Sequence, residues 1–157
     1  MTEYPADTVV DALRRGAADH RAIGAPGRDW LTHGALRELI TRSVADLNRM
    51  GIGRNDRVAI VLPNGPEMAA AFLAIAAGAT TAPLNPAYKI AEFEFYLSDL
   101  NARALVIRQG MQSPAREVAA ARNIPVIELV PDAAAPAGTF TLAPEGALSG
   151  TPQQGGT

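Results

Sequence analysis

The 157-residue chain contains no cysteine. Disulfides, thiolate zinc sites, iron–sulfur clusters and a cysteine nucleophile are therefore excluded. Lys89 is its only lysine, and the surroundings of that residue match neither a phosphate-binding loop nor a Schiff-base pocket. His20 and His33 are the only histidines, and no carboxylate stands at ligand spacing from either. His20 is expected at a helix end and His33 at a helix start, both without metal. Aromatic residues make up 5% of the chain, and Tyr4, Trp30, Tyr88 and Tyr96 are too dispersed for a base-stacking platform. Charge is also sparse. With 19% charged residues and a net charge of −2, neither nucleic acid nor an anionic membrane is an expected partner. The first ten residues have no basic region ahead of an apolar run, so no secretory signal is read there. Residues 68–88 are uncharged, but Gly78, Pro83 and Pro86 interrupt them. They leave a helix-length part well short of the ~20 residues that cross a bilayer. A cytoplasmic protein without a transmembrane segment is the resulting expectation.

The best-formed stretch is residues 56–86. A short apolar run (58–62) is followed by the turn Pro63-Asn64-Gly65-Pro66, an uncharged helical segment (68–77), a glycine stop at Gly78 and a second short run (80–84). That order predicts a βαβ unit with two parallel strands. Upstream, residues 8–18 predict a short amphipathic helix capped by Asp7 or Thr8. Residues 20–25 and 29–31 predict an antiparallel strand pair turning at Pro26-Gly27. Thr32 is placed to cap a helix whose apolar stripe is Leu36, Leu39, Ile40, Val44, Leu47 and Met50, with Gly51 as its left-handed stop. Downstream, residues 90–100 predict a helix, 102–107 a strand, 113–121 a helix capped by Ser113 with Pro114 at its first position, and 124–130 a strand. The alternation indicates an α/β fold with a mostly parallel sheet flanked by helices on both faces. A domain over residues 1–130 is expected, with residues 131–157 an Ala/Pro/Gly-rich linker or disordered tail in which 140–142 could form a brief strand.

Motifs for chemistry are scarce. Gly51-Ile52-Gly53-Arg54-Asn55-Asp56 superficially matches a dinucleotide fingerprint. It follows a helix and precedes a strand, the reverse of what that fingerprint needs, and Asp56 would repel a pyrophosphate. Ser43, Ser98, Ser113 and Ser149 lack a nucleophile elbow. Glu92 and Glu94, two apart on a helix, face different ways. The loop Pro63-Asn64-Gly65-Pro66 stands at the C-terminal end of a predicted parallel strand, where ligands of open α/β sheets bind. Asn64 and Gly65 precede a helix N-terminus there, a ready anion site that Glu67 would partly fill; a plain tight turn explains the loop equally.

Several segments together resemble one family. They are Trp30-Leu31-Thr32 leading into a helix, Gly51-Ile52-Gly53 running to Asp56-Arg57-Val58-Ala59-Ile60, and Leu62-Pro63-Asn64-Gly65-Pro66-Glu67. Gly78-Ala79 continuing to Ala82-Pro83-Leu84-Asn85-Pro86, then Glu92 to Leu100 with Ala102-Arg103, complete the set. In this order, collinear over residues 30–107, they resemble the N-terminal part of adenylate-forming acyl-CoA synthetases, including the coumarate- and oxalate-CoA ligase-like branch. The resemblance implies the N-terminal subdomain of the adenylate-forming fold. It also implies ATP-dependent activation of a carboxylic acid to an acyl-adenylate, capture by coenzyme A, and magnesium to neutralise phosphate charge. The family's phosphate-binding loop and later motifs are not matched, and residues 149–157 share only the loop's composition. The expectation is a ligase chain truncated before that loop, acting as scaffold, with no residue nominated as catalytic, cofactor-binding or metal-binding. Its expected partner is the remainder of its own ligase domain, or a second copy meeting it through an exposed apolar patch. A free-standing α/β module that binds a small molecule or a protein is the alternative.

Overall fold

The computed structural model describes residues 7–147. The first element among the described residues is a one-turn helix, α1 (Val9–Leu13), capped by Thr8, whose hydroxyl accepts from the Asp11 amide. A hairpin follows, β1 (Arg21–Ala25) antiparallel to β2 (Arg28–Thr32). The Thr32 hydroxyl accepts from the Ala35 amide at 3.2 Å and starts α2 (His33–Arg49), the longest helix. Gly51 ends it at φ 78°, a conformation that costs glycine little. Then β3 (Arg57–Val61), α3 (Pro66–Ala76), β4 (Thr80–Pro83), α4 (Ile90–Asp99), β5 (Ala104–Arg108), α5 (Pro114–Ala121), β6 (Val126–Pro131) and β7 (Phe140–Pro144) complete the order.

The last five strands form one sheet in the order β4-β3-β5-β6-β7. All neighbours are parallel except β6 and β7. Strand alternation sorts the core into two layers. Val58, Ile60, Ala104, Val106, Ile127 and Leu129 face α2 and α3. Ala59, Val61, Leu105 and Ile107 face α4 and α5. Both faces of the central strands are thus covered, which is why β3 and β5 read as continuous apolar runs.

α3 owes its composition to close packing: Ala70, Ala71, Ala74 and Ile75 have no exposed surface. Gly78 does more than stop that helix. A Cβ there would stand 3.0 Å from both Val44 methyls of α2, so its missing side chain lets the α3–β4 turn meet α2.

Three expectations are corrected. The boundary at residue 130 does not hold. β7 lies beyond it, pairs with β6 along five residue pairs, and buries Phe140 and Leu142 against α2 and α3. The same region packs through Gly138, where a Cβ would meet the Pro66 carbonyl oxygen at 2.9 Å, with φ at 88°. The remainder of the proposed tail, 148–157, lies outside the described residues, as does Tyr4. The first helix is only five residues. Gly16, which the longer helix would have included, instead packs against the His33 imidazole so closely that a Cβ would overlap it. His20 consequently precedes a strand and does not end a helix; its carbonyl accepts from the His33 amide at 2.9 Å.

Candidate functional site

The connections out of β3 and β5 diverge. α3 crosses over one face of the sheet and α5 over the other, so the C-terminal ends of β3 and β5 bound the crevice where ligands of open α/β sheets sit. Its β3 side is Pro63-Asn64-Gly65-Pro66, as the sequence indicates. Pro63, Asn64 and Gly65 are exposed. Gly65 caps α3 without a side-chain hydrogen bond, and Pro66 opens the helix.

The start of α3 carries an ion pair. Glu67 stands in the first turn of α3, and its carboxylate accepts from Arg28 Nη1 at 2.5 Å. Both side chains are mostly buried, at 23% and 20% exposure. Arg28 Nη2 reaches the backbone oxygens of Asp132, Ala135 and Pro136 at 3.0, 3.3 and 3.3 Å. One guanidinium thereby joins the hairpin, the start of α3 and the β6–β7 loop. Pro66, the first residue of α3, has no N–H to offer there. The arrangement is an ion pair that ties the hairpin to the start of α3 and to the β6–β7 loop. Sequence reading placed Glu67 correctly but missed Arg28, because contacts to carbonyls a hundred residues away leave no local pattern.

The β5 side is organised by Arg116. It donates to the Met111 and Arg108 carbonyls and to the carboxylates of Glu128 and Glu145. Asp56 is bound locally, its carboxylate accepting from the Gly53 amide at 2.8 Å, which confirms a turn in place of a nucleotide fingerprint. Glu92 accepts from the Lys89 amide at 2.8 Å and caps α4. The Ser43 hydroxyl donates to the Leu39 carbonyl at 2.8 Å inside α2, and the Ser113 hydroxyl accepts from Ala115. Each of these polar groups has a structural partner. Among the described residues no group of three or more His, Asp or Glu side chains is arranged to hold a metal ion, and no helix is long and apolar enough to cross a membrane.

Tyr88 differs from these. Its ring stacks on Tyr96 with centroids 5.1 Å apart and meets Phe93 edge-on at 5.8 Å. The hydrogen bond with Tyr96 raises its pKa above the ordinary tyrosine value; desolvation and the neighbouring Tyr96 and Glu92 charges push the same way. The pair lies beside Lys89, and nothing in it suits acid–base work near neutral pH.

Comparison with known proteins supplies what the geometry does not. A family model, that of the AMP-binding enzyme, matches residues 10–153. The chain is 44% identical over 118 residues to the oxalate–CoA ligase of Arabidopsis thaliana, an alignment covering 74% of this chain and 23% of that protein. It is 36% identical over 105 residues to 4-coumarate–CoA ligase 3 of Oryza sativa subsp. japonica, covering 66% and 19% respectively. In fold it is similar to apo MatB of Rhodopseudomonas palustris, with a TM-score of 0.66 over 89% of this chain and 30% of that one, at 23% identity. The chain spans about a fifth to a quarter of the length of these two curated ligases.

Proposed function

Since the chain belongs to the AMP-binding enzyme family, we propose that its residues form the N-terminal scaffold of an ATP-dependent carboxylic acid–CoA ligase. In this reading the parent enzyme joins a carboxylic acid to the α-phosphate of ATP with magnesium, and coenzyme A then displaces AMP. It works in the cytoplasm. The observation that carries the reading is the 44% identity to an oxalate–CoA ligase across three quarters of this chain.

The contribution of this segment is architectural. At its candidate loop Glu67 is held by Arg28, and Thr8, Thr32, Glu92, Ser113 and Asp56 cap helices or tie turns. No step of adenylation is assigned to any residue here. Its packing partner is the rest of the same ligase domain, toward which exposed apolar side chains such as Phe72 and Phe95, at 40% and 62% exposure, are available.

Two measurements test this. Pyrophosphate release by the purified 157-residue chain, assayed with ATP, magnesium and a panel of carboxylic acids including oxalate and a coumarate, is expected to stay at background. Turnover with any acid would overturn the scaffold reading. In the second, residues 10–147 replace the matching segment of the Arabidopsis enzyme. Retained oxalate–CoA formation supports the assignment, and a folded but inactive chimera counts against it.

A further inference from the structure

With no cysteine in the chain, a one-electron oxidant meets no thiol. Methionine sulfur is oxidised to the sulfoxide by oxygen transfer, a two-electron reaction. Loss of a single electron therefore falls to the tyrosine and tryptophan rings, which among the described residues are Tyr88, Tyr96 and Trp30.

Trp30 is guarded by charge. The Arg21 guanidinium stands 5.4 Å from the centre of its ring. A cation there is attracted to the neutral ring and repelled by a ring that has lost an electron. The two tyrosines are placed to opposite effect. Their rings stack 14° from parallel with centroids 5.1 Å apart, and both side chains are half-buried. A side-chain hydrogen bond joins them. The hydroxyl ends therefore lie together, and with them the ortho carbons that flank each hydroxyl. The Glu92 carboxylate places negative charge near Tyr88, which favours removal of an electron. Phe93 meets Tyr88 edge-on at 5.8 Å and Phe95 meets Tyr96 edge-on at 5.2 Å, so the pair is held between two further rings.

We propose that Tyr88 and Tyr96 form an oxidative modification site, at which a one-electron oxidant joins the two rings as an intrachain dityrosine. Each phenol gives up one electron and its O–H proton. The two phenoxyl radicals then form one carbon–carbon bond between their ortho positions. The hydrogen on each of those carbons moves through water to the oxygen of its own ring, which restores both phenols. Two electrons go to the oxidant and two protons to water. Tyr88 precedes α4 and Tyr96 lies within it, so the new bond staples the turn after β4 to the helix that follows. The joined rings also ionise more readily than ordinary tyrosine, because each hydroxyl donates to its neighbour's anion. The site stands apart from the ligase reading, since its reactants are two side chains of this segment and an oxidant.

The test illuminates the purified 157-residue chain with a ruthenium(II) polypyridyl sensitiser and peroxydisulfate, which takes up the two electrons and becomes two sulfates. Dityrosine fluorescence is expected in a species that stays monomeric on a denaturing gel. Tryptic digestion reads its position. Lys89 lies between the two tyrosines, so cleavage there separates 58–89 from 90–103 unless the rings are joined. The joined peptide, lighter by two hydrogens than the sum of its parts, is the expected main product. It should form about tenfold or more faster in the folded chain than in concentrated urea, where the rings are no longer held together. Tyr88→Phe and Tyr96→Phe keep an aromatic ring at each position, and each should abolish the joined peptide, while Trp30→Phe should leave it. Cross-links formed mainly between chains or through Tyr4, or an equal rate in urea, would overturn the proposal.

Discussion

The Arg28 guanidinium holds the Glu67 carboxylate at 2.5 Å while its other terminal nitrogen reaches three backbone oxygens between Asp132 and Pro136. One side chain thus connects a hairpin, a helix start and a loop that are far apart in sequence. Arg28→Ala should lower the unfolding free energy by about 1–3 kcal/mol, because a mostly buried carboxylate loses its partner. Arg28→Lys should recover only part of this, since an ammonium lacks the planar fork. Urea denaturation measures both; an alanine variant within about 0.5 kcal/mol of the parent would show the clamp to be inconsequential.

Gly78 and Val44 are expected to be energetically coupled. Gly78→Ala places a methyl 3.0 Å from the Val44 methyls and should destabilise by about 1–3 kcal/mol through overpacking. Val44→Ala makes room, so the double variant should be more stable than the sum of the single effects implies by at least about 0.5 kcal/mol. Strict additivity in a double-mutant cycle would contradict the close contact.

Phe140 reports on whether residues beyond 130 belong to the fold. It is 1% exposed, so Phe140→Ala should cost about 3–5 kcal/mol. A tail residue would cost close to nothing. The midpoint of chemical unfolding distinguishes the two directly.

Tyr88 gives the chain an alkaline signature. Its pKa is raised in the folded state, first by the hydrogen bond with Tyr96, so the folded state holds the phenolic proton more tightly than the unfolded chain does. The stabilisation is fully present below the ordinary tyrosine pKa of about 10 and is lost as pH rises through the higher folded value. Tyrosinate absorbance should show one late-titrating group, and Tyr96→Phe should bring it back toward the ordinary value. An unchanged titration curve in that variant would remove Tyr96 as the cause.

Much of this architecture is legible in the chain because its signals are local. Thr32 and Ser113 cap the helices they precede, Gly51 takes the left-handed turn, and the apolar runs at β3 and β5 become buried parallel strands. The misread features depend on distant partners. β7 is embedded in alanine, proline and glycine, and only the alternation of Phe140 and Leu142 about Thr141 marks it as half-buried; what makes it a strand is β6 beside it. The shortness of α1 follows from Gly16 meeting His33. At the candidate site, the Pro63–Pro66 loop and Glu67 were visible from strand–turn–helix order. Arg28 was not, because what it binds is mostly backbone, and backbone has no identity in a sequence.

The placement of Phe140 against α2 also bears on how the chain is made. The Arg42 guanidinium touches the Phe140 carbonyl at 3.5 Å across 98 residues, and the strand carrying Phe140 covers part of the same apolar layer as α2. At roughly 5–20 residues per second of synthesis, α2 leaves the ribosome several seconds before the strand that completes its cover. During that interval part of its apolar stripe faces the cellular milieu. Nascent chains paused between these two elements are therefore where chaperone capture should concentrate, and hastening translation through that window should raise the soluble yield.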